Sequence, residues 1–161
     1  MVFLVECDAD RALVRTLTST SKRNIIHSGG GSNVIINLTK RYENSKGLVD
    51  EDPGSSKPRS FQRFRETELF EREALKIMYH NDRNNHLIIL KPRLEDWVLG
   101  AARESGVDIK RYDLPDDALR LHEMINVHLG RFEELIEDLK QRSRRMAKLR
   151  EILTSASDDR S

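Results

Sequence analysis

The chain has 161 residues, room for one domain with an appendage, and at this length about 68 to 70 % of the unfolded surface can be buried, so a real core is within reach. Its 28 Lys and Arg face 27 Asp and Glu, which excludes a global field steering the molecule toward nucleic acid and leaves any such surface to local clustering. Cys7 is the sole cysteine, which excludes an internal disulfide, and no apolar run approaches the roughly 20 residues of a membrane span. The N-terminus carries neither a basic leader nor a small-residue cleavage site, so the expected location is cytoplasmic, with no membrane partner.

Val2 to Val5 is a short apolar run that reads as a buried strand ending at Glu6. Asp8 or Asp10 can then cap a helix in which Ala9, Leu13 and Leu17 recur at i, i+4 and i+8, with Arg11 and Arg15 toward water. Asn24 to His27 reads as a second strand and Ser28 to Asn33 as a turn. A second helix follows, with Val34, Ile35, Leu38 and Tyr42 on its apolar face, and Leu48 to Asp50 makes a third strand. Strands and helices alternating through short turns predict right-handed crossovers and a mainly parallel central sheet flanked by helices, the α/β class.

Ser55 to Ser60 reads as a loop at the rim of the sheet. Phe64 to Ala74, rich in Glu and Arg, predicts a helix, and Leu75 to His80 and His86 to Leu90 predict strands around the turn Asn81 to Asn85. Pro92 suits the first turn of a helix carrying Leu94, Trp97, Val98, Ala101 and Ala102 on one face. Residues 1–105 thus form the expected α/β domain, 106–154 a helical extension and 155–161 a polar tail. In the extension Gly130 is expected to separate a short helix from a longer one. Phe132, Leu135, Leu139, Met146, Leu149 and Leu153 follow a heptad-like spacing there that Arg142 interrupts. That stripe serves either an amphipathic hairpin packed on the domain or a homodimer seam.

Three carboxylates fall at predicted strand ends, Glu6 after the first strand and Asp50 with Asp52 after the third, where open α/β sheets place their ligands. On extended backbone Asp50 and Asp52 project to one side and Glu51 to the other. Hard oxygen donors so placed suit Mg²⁺ or Mn²⁺, with Glu6 as third ligand or proton carrier.

Glu6 at a strand end, the glycine turn Gly29, Gly30 and Gly31 after the second strand, and the Asp-x-Asp of Asp50 and Asp52 resemble the Toprim domain over roughly residues 1–100. That family is shared by topoisomerases, bacterial primases, recombination proteins and several nucleases. The resemblance implies a small stand-alone Toprim-like fold in which Glu6 is general acid or base and Asp50 and Asp52 hold Mg²⁺. It also implies a nucleic acid or nucleotide as partner and a nuclease or nuclease component as the function. The chain has Cys7 where many members have glycine or serine, and Pro53-Gly54 follows the aspartates in place of a longer acidic pattern, so strand passage is not expected. Two other readings stay open: a non-catalytic, metal-dependent module for nucleotide or nucleic acid, and a structural or regulatory dimer. A partner protein could also complete the substrate platform.

Arg93 and Glu95, between a buried strand and the next helix, are further candidates, Arg93 for a phosphate and Glu95 as an added oxygen ligand or a helix-start acid. Gly29 to Gly31 could cradle a phosphate with backbone N–H groups, and His27 could shuttle a proton, ligate a metal or serve structurally. His80 and His86 lack a Cys/His companion set for zinc. Cys7, beside a carboxylate, should have a raised pKa and behave as a small core residue. The basic run Lys140, Arg142, Arg144, Arg145, Lys148 and Arg150 is either a phosphate-binding strip or a solvated face opposite Glu133, Glu134, Glu137 and Asp138.

Overall fold

The computed structural model describes residues 1–156; residues 157–161 of the expected tail lie outside the described residues. Strands β1 (Phe3–Val5), β2 (Ile25–His27), β3 (Lys46–Asp50), β4 (Arg65–Phe70), β5 (Leu75–His80) and β6 (Asn85–Leu90) form one sheet in the order β2-β1-β3-β6-β5-β4. β1 runs parallel to β2 and β3, and β3 parallel to β6, while β5 is antiparallel to both its neighbours. The fold is α/β, with four parallel strands extended at one side by an antiparallel pair.

Alternation along the strands divides the core in two, because successive side chains leave a strand on opposite faces. Phe3, Val5, Leu48, Ile88 and Leu90 point to one face and join α1 (Asp8–Thr18), α3 (Leu94–Ser105), α5 (Leu129–Arg142) and α6 (Arg144–Thr154). Leu4, Val49, Leu87 and Ile89 point to the other and meet Val34, Ile35 and Leu38 of α2 (Gly31–Lys40). The second layer is thin, so α2 packs close to the sheet, and Gly47 makes room for it. A Cβ there would lie 2.7 Å from both Leu38 Cδ1 and Val34 Cγ1.

The region 64–74 corrects the expected helix. Arg59–Arg63 is a 3-10 turn, Arg65–Phe70 is the edge strand β4, and residues 71–74 turn into β5. Glu and Arg favour helices intrinsically, but an edge strand has one face and one side open to water, where the same charges fit and discourage pairing with another chain. Pairing with β5, register Arg65↔Tyr79 to Phe70↔Leu75 with an irregularity between Glu66 and Glu68, overrides the local preference. Pro92 also stands outside the predicted helix. Its bond from Lys91 is cis, and α3 begins at Leu94.

Gly130 does not separate the C-terminal helices; it is the second residue of α5. The chain breaks at 126–128, after α4 (Ala118–Ile125), and again at Ser143, whose hydroxyl accepts from Met146 N–H at 3.2 Å to cap α6. Arg142, the residue that interrupts the heptad-like spacing, is therefore the last of α5. Phe132, Leu135, Leu139, Met146 and Leu149 are 0 % exposed and Leu153 1 %, so the chain's own core consumes the stripe and those side chains leave no seam for a second copy. α1 packs against both α5 and α6, placing the C-terminal helices in the same core as the sheet. Among the described residues no helix is long and apolar enough to cross a membrane.

Candidate carboxylate site

Glu6 leaves the end of β1 and Asp50 ends β3, and the parallel register Val5↔Leu48 brings the two to the same edge of the sheet. Glu6 Oε2 accepts the Asp50 backbone N–H at 2.8 Å, and the Gly31 N–H also donates to the Glu6 carboxyl. Asp50 Oδ1 in turn accepts the Leu94 N–H at 3.0 Å, at the first residue of α3, a helix end that attracts negative charge. Asp52 has left the strand. Its backbone is left-handed, with φ 46°, and its Oδ1 lies 3.1 Å from Arg93 Nη2. Glu6, Asp50 and Asp52 nevertheless line one cavity of about 140 Å³, together with Gly31, Ser55 and Lys57.

The glycine turn abuts this cavity. Gly29 and Gly30 adopt φ +84° and +154°, open to glycine and rarely to other residues, and Gly31 opens α2 directly against the carboxylate. A Cβ at Gly31 would stand 2.8 Å from Glu6 Oε1, so the close approach of backbone to carboxyl requires a glycine. Glu51, the residue between the aspartates, turns away to Lys91 at 3.7 Å.

Two further acids lie behind the cavity. Asp10, in the first turn of α1, is 2 % exposed, and its Oδ2 accepts the Cys7 thiol at 3.3 Å. Glu95 is 7 % exposed and meets His122 Nδ1 at 2.6 Å, lining a separate groove with Arg93 and Leu119. Burial pushes the Asp50 carboxyl up to about 7, aided by the charges of Glu6, Glu95 and Asp52 and opposed by the Leu94 N–H. Burial also raises Glu6, against the Asp50 and Gly31 N–H groups, and raises Asp10 well above its ordinary value, with Asp50, Glu6 and Glu95 adding repulsion. The Cys7 thiol is likewise pushed up, by burial first and then by Asp10, as its position beside a carboxylate predicts.

Among the described residues no group of three His, Cys, Asp or Glu side chains is placed to hold a metal ion as a full set. Mg²⁺ keeps several of its waters and takes one or two carboxylates, so a full protein set is not required for such an ion. Glu6, Asp50 and Asp52 offer such oxygens from one cavity wall, and their mutual repulsion is what a cation would relieve.

The fold thus gathers Glu6, Asp50, Asp52, Arg93 and Gly31, and sets Glu95 behind them. It does not gather His27, which ends β2 at the sheet's edge, exposed and outside the cavity lining. Sequence reasoning missed Asp10, Lys57 and His122 as neighbours of the site. Asp10 reads locally as a helix-start acid, and only the approach of α1 to β3 reveals its place; Lys57 and His122 carry no pattern that marks them. The basic run of the C-terminal helices is largely spent internally. Arg142 pairs with Asp138, Arg145 with Glu104, Lys148 lies over the Phe70 ring, and Lys140 donates to Thr16 O. No family model matches the chain, and it has no match among curated proteins or solved structures.

Proposed function

We propose that this protein binds Mg²⁺ or Mn²⁺ through Glu6, Asp50 and Asp52 and acts on phosphodiesters, as a Toprim-like nuclease or nuclease component. The observation that carries this reading is the convergence of those three carboxylates on one cavity at the C-terminal edge of β1 and β3, with Asp10 and Glu95 adding to the negative field. A bound divalent ion would supply charge neutralisation at a phosphate oxygen.

The chain's own groups divide the remaining work. Glu6, held by two backbone N–H groups and raised by burial above its ordinary value, can take up or pass a proton at its carboxyl oxygens. The α3 N-terminus orients Asp50, and Arg93 pairs with Asp52 at the exposed rim of the cavity. Lys57, whose ammonium donates to Glu51 O at 2.7 Å, adds a cation to the cavity lining, suited to a non-bridging phosphate oxygen.

A binding module without turnover is the second reading. It is favoured by the engagement of Glu6 with backbone donors, which ties up the group that would have to move a proton. Thermal unfolding with Mg²⁺, Mn²⁺ or chelator, alongside hydrolysis of labelled DNA and RNA, separates the cases. At an ion concentration 100-fold above Kd the fold should gain about 2.7 kcal/mol, lost in Asp50→Asn and Asp52→Asn. Metal-dependent cleavage abolished by Glu6→Gln identifies the enzyme. Stabilisation without cleavage leaves the module, and the lack of any metal effect on wild type overturns both.

A further inference from the structure

Among the described residues several exposed cations make no ion pair, Arg144 and Arg150 of α6 among them, but three others gather in one groove between α2 and the 3-10 turn at 59–63. Lys40 at the end of α2 and Arg59 and Arg63 in the 3-10 turn are all exposed, and none has a carboxylate within ion-pair distance among the described residues. Lys40, Arg59 and Arg63 line one groove of about 510 Å³, and Arg63 continues into a second of about 370 Å³ with Arg65. Lys57, two residues before Arg59, lines the carboxylate cavity itself. Ser60 also lines the first groove, and its hydroxyl makes no hydrogen bond to a protein group among the described residues.

We propose that this row, from Lys57 through Arg59, Lys40 and Arg63, is the track along which a polynucleotide strand lies by its phosphates, leading into the carboxylate cavity. The track deepens the phosphodiester reading given above and rests on it for its direction, but not for its existence. Two linked grooves extend further than one phosphate, so a free nucleotide would fill only part of the row. Guanidinium groups match phosphate oxygens in pairs, which favours phosphates as the repeated anion. Phe64 and Tyr79, which line the second groove, are 6 % and 1 % exposed and offer bases no platform there, so the phosphates carry the recognition.

Fluorescence anisotropy of labelled single-stranded DNA, single-stranded RNA and duplex DNA, all in chelator, tests the track apart from the metal site. The full chain should bind, with affinity falling as salt rises. Arg59→Gln/Arg63→Gln, which removes two exposed cations, should flatten that dependence. Between 50 and 200 mM salt the loss of affinity should shrink by about 7-fold for a single strand and about 12-fold for a duplex. Thermal unfolding that stays cooperative should confirm that the double variant is folded. Failure of wild type to bind any probe, an unchanged salt slope in the double variant, or equal affinity for poly-glutamate overturns the track. Loss of cleavage alone would count against the carboxylate reading and leave the track standing.

Discussion

Asp50 is held in the fold at a cost that depends on pH, and Asp50→Asn should reveal it. The asparagine keeps an oxygen for the Leu94 N–H at 3.0 Å but carries no charge to be buried beside Glu6 and Glu95. A carboxyl raised from 3.8 to about 7 on folding binds its proton more tightly in the native state than in the unfolded chain. The native state then holds more protons between those two values, so stability falls as pH rises through the window and is flat above about 8. The full difference corresponds to about 4 kcal/mol at pH 8 and about 1 kcal/mol at pH 4.5. Urea unfolding of wild type and Asp50→Asn in chelator at both pH values measures it. The variant's midpoint should lie about 1 to 2 M higher at pH 8, converging with wild type at pH 4.5. A variant no more stable than wild type at pH 8, or a gap indifferent to pH, would refute the picture of crowded, buried carboxylates. Glu6 and Asp10 share the repulsion, so the transition should be broad.

Leu139→Ala should cost about 2 to 5 kcal/mol in the same urea assay, because the side chain is wholly buried between α5 and its neighbours; a loss below about 1 kcal/mol would return it to a surface seam. Lys46→Met should loosen α6 selectively. Lys46 is 2 % exposed and its ammonium donates to Ile152 O at 2.5 Å and Ser155 O at 2.8 Å, so its removal should cost about 1 to 3 kcal/mol and speed amide exchange in residues 144–154. Burial lowers that ammonium to about 8 from 10.5, so the native state holds fewer protons in between, and the stability advantage of wild type over Lys46→Met should grow with pH across that interval.

The first half of the fold was legible because its short apolar runs and amphipathic helices alternate without competition. Phe3 to Val5 and Leu48 to Val49 could hardly be anything but buried strands. The edge strand was not, since Arg65, Glu66 and Glu68 satisfy helix propensity while their strand state depends on β5 alone. At the site, the strand-end placement of Glu6 and Asp50 could be read from local pattern. Asp52 reached the same cavity by a left-handed turn instead of by strand alternation, and the burial of Asp10 depends on a contact between distant segments. His122 meets Glu95 only because α4 folds back across the start of α3.

The packing of α1 on the last two helices has a consequence for the chain as it is made. The bond from Lys140 Nζ to Thr16 O joins residues 124 positions apart. At synthesis rates of about 5 to 20 residues per second, the apolar face of α1 waits roughly 6 to 25 s for its partners. During that interval Leu13 and Leu17 have no cover from α5 or α6, and the nascent chain offers a chaperone an amphipathic helix. The carboxylate edge, built from segments made in the first hundred residues, can assemble before that cover arrives, so the site and its support mature at different times.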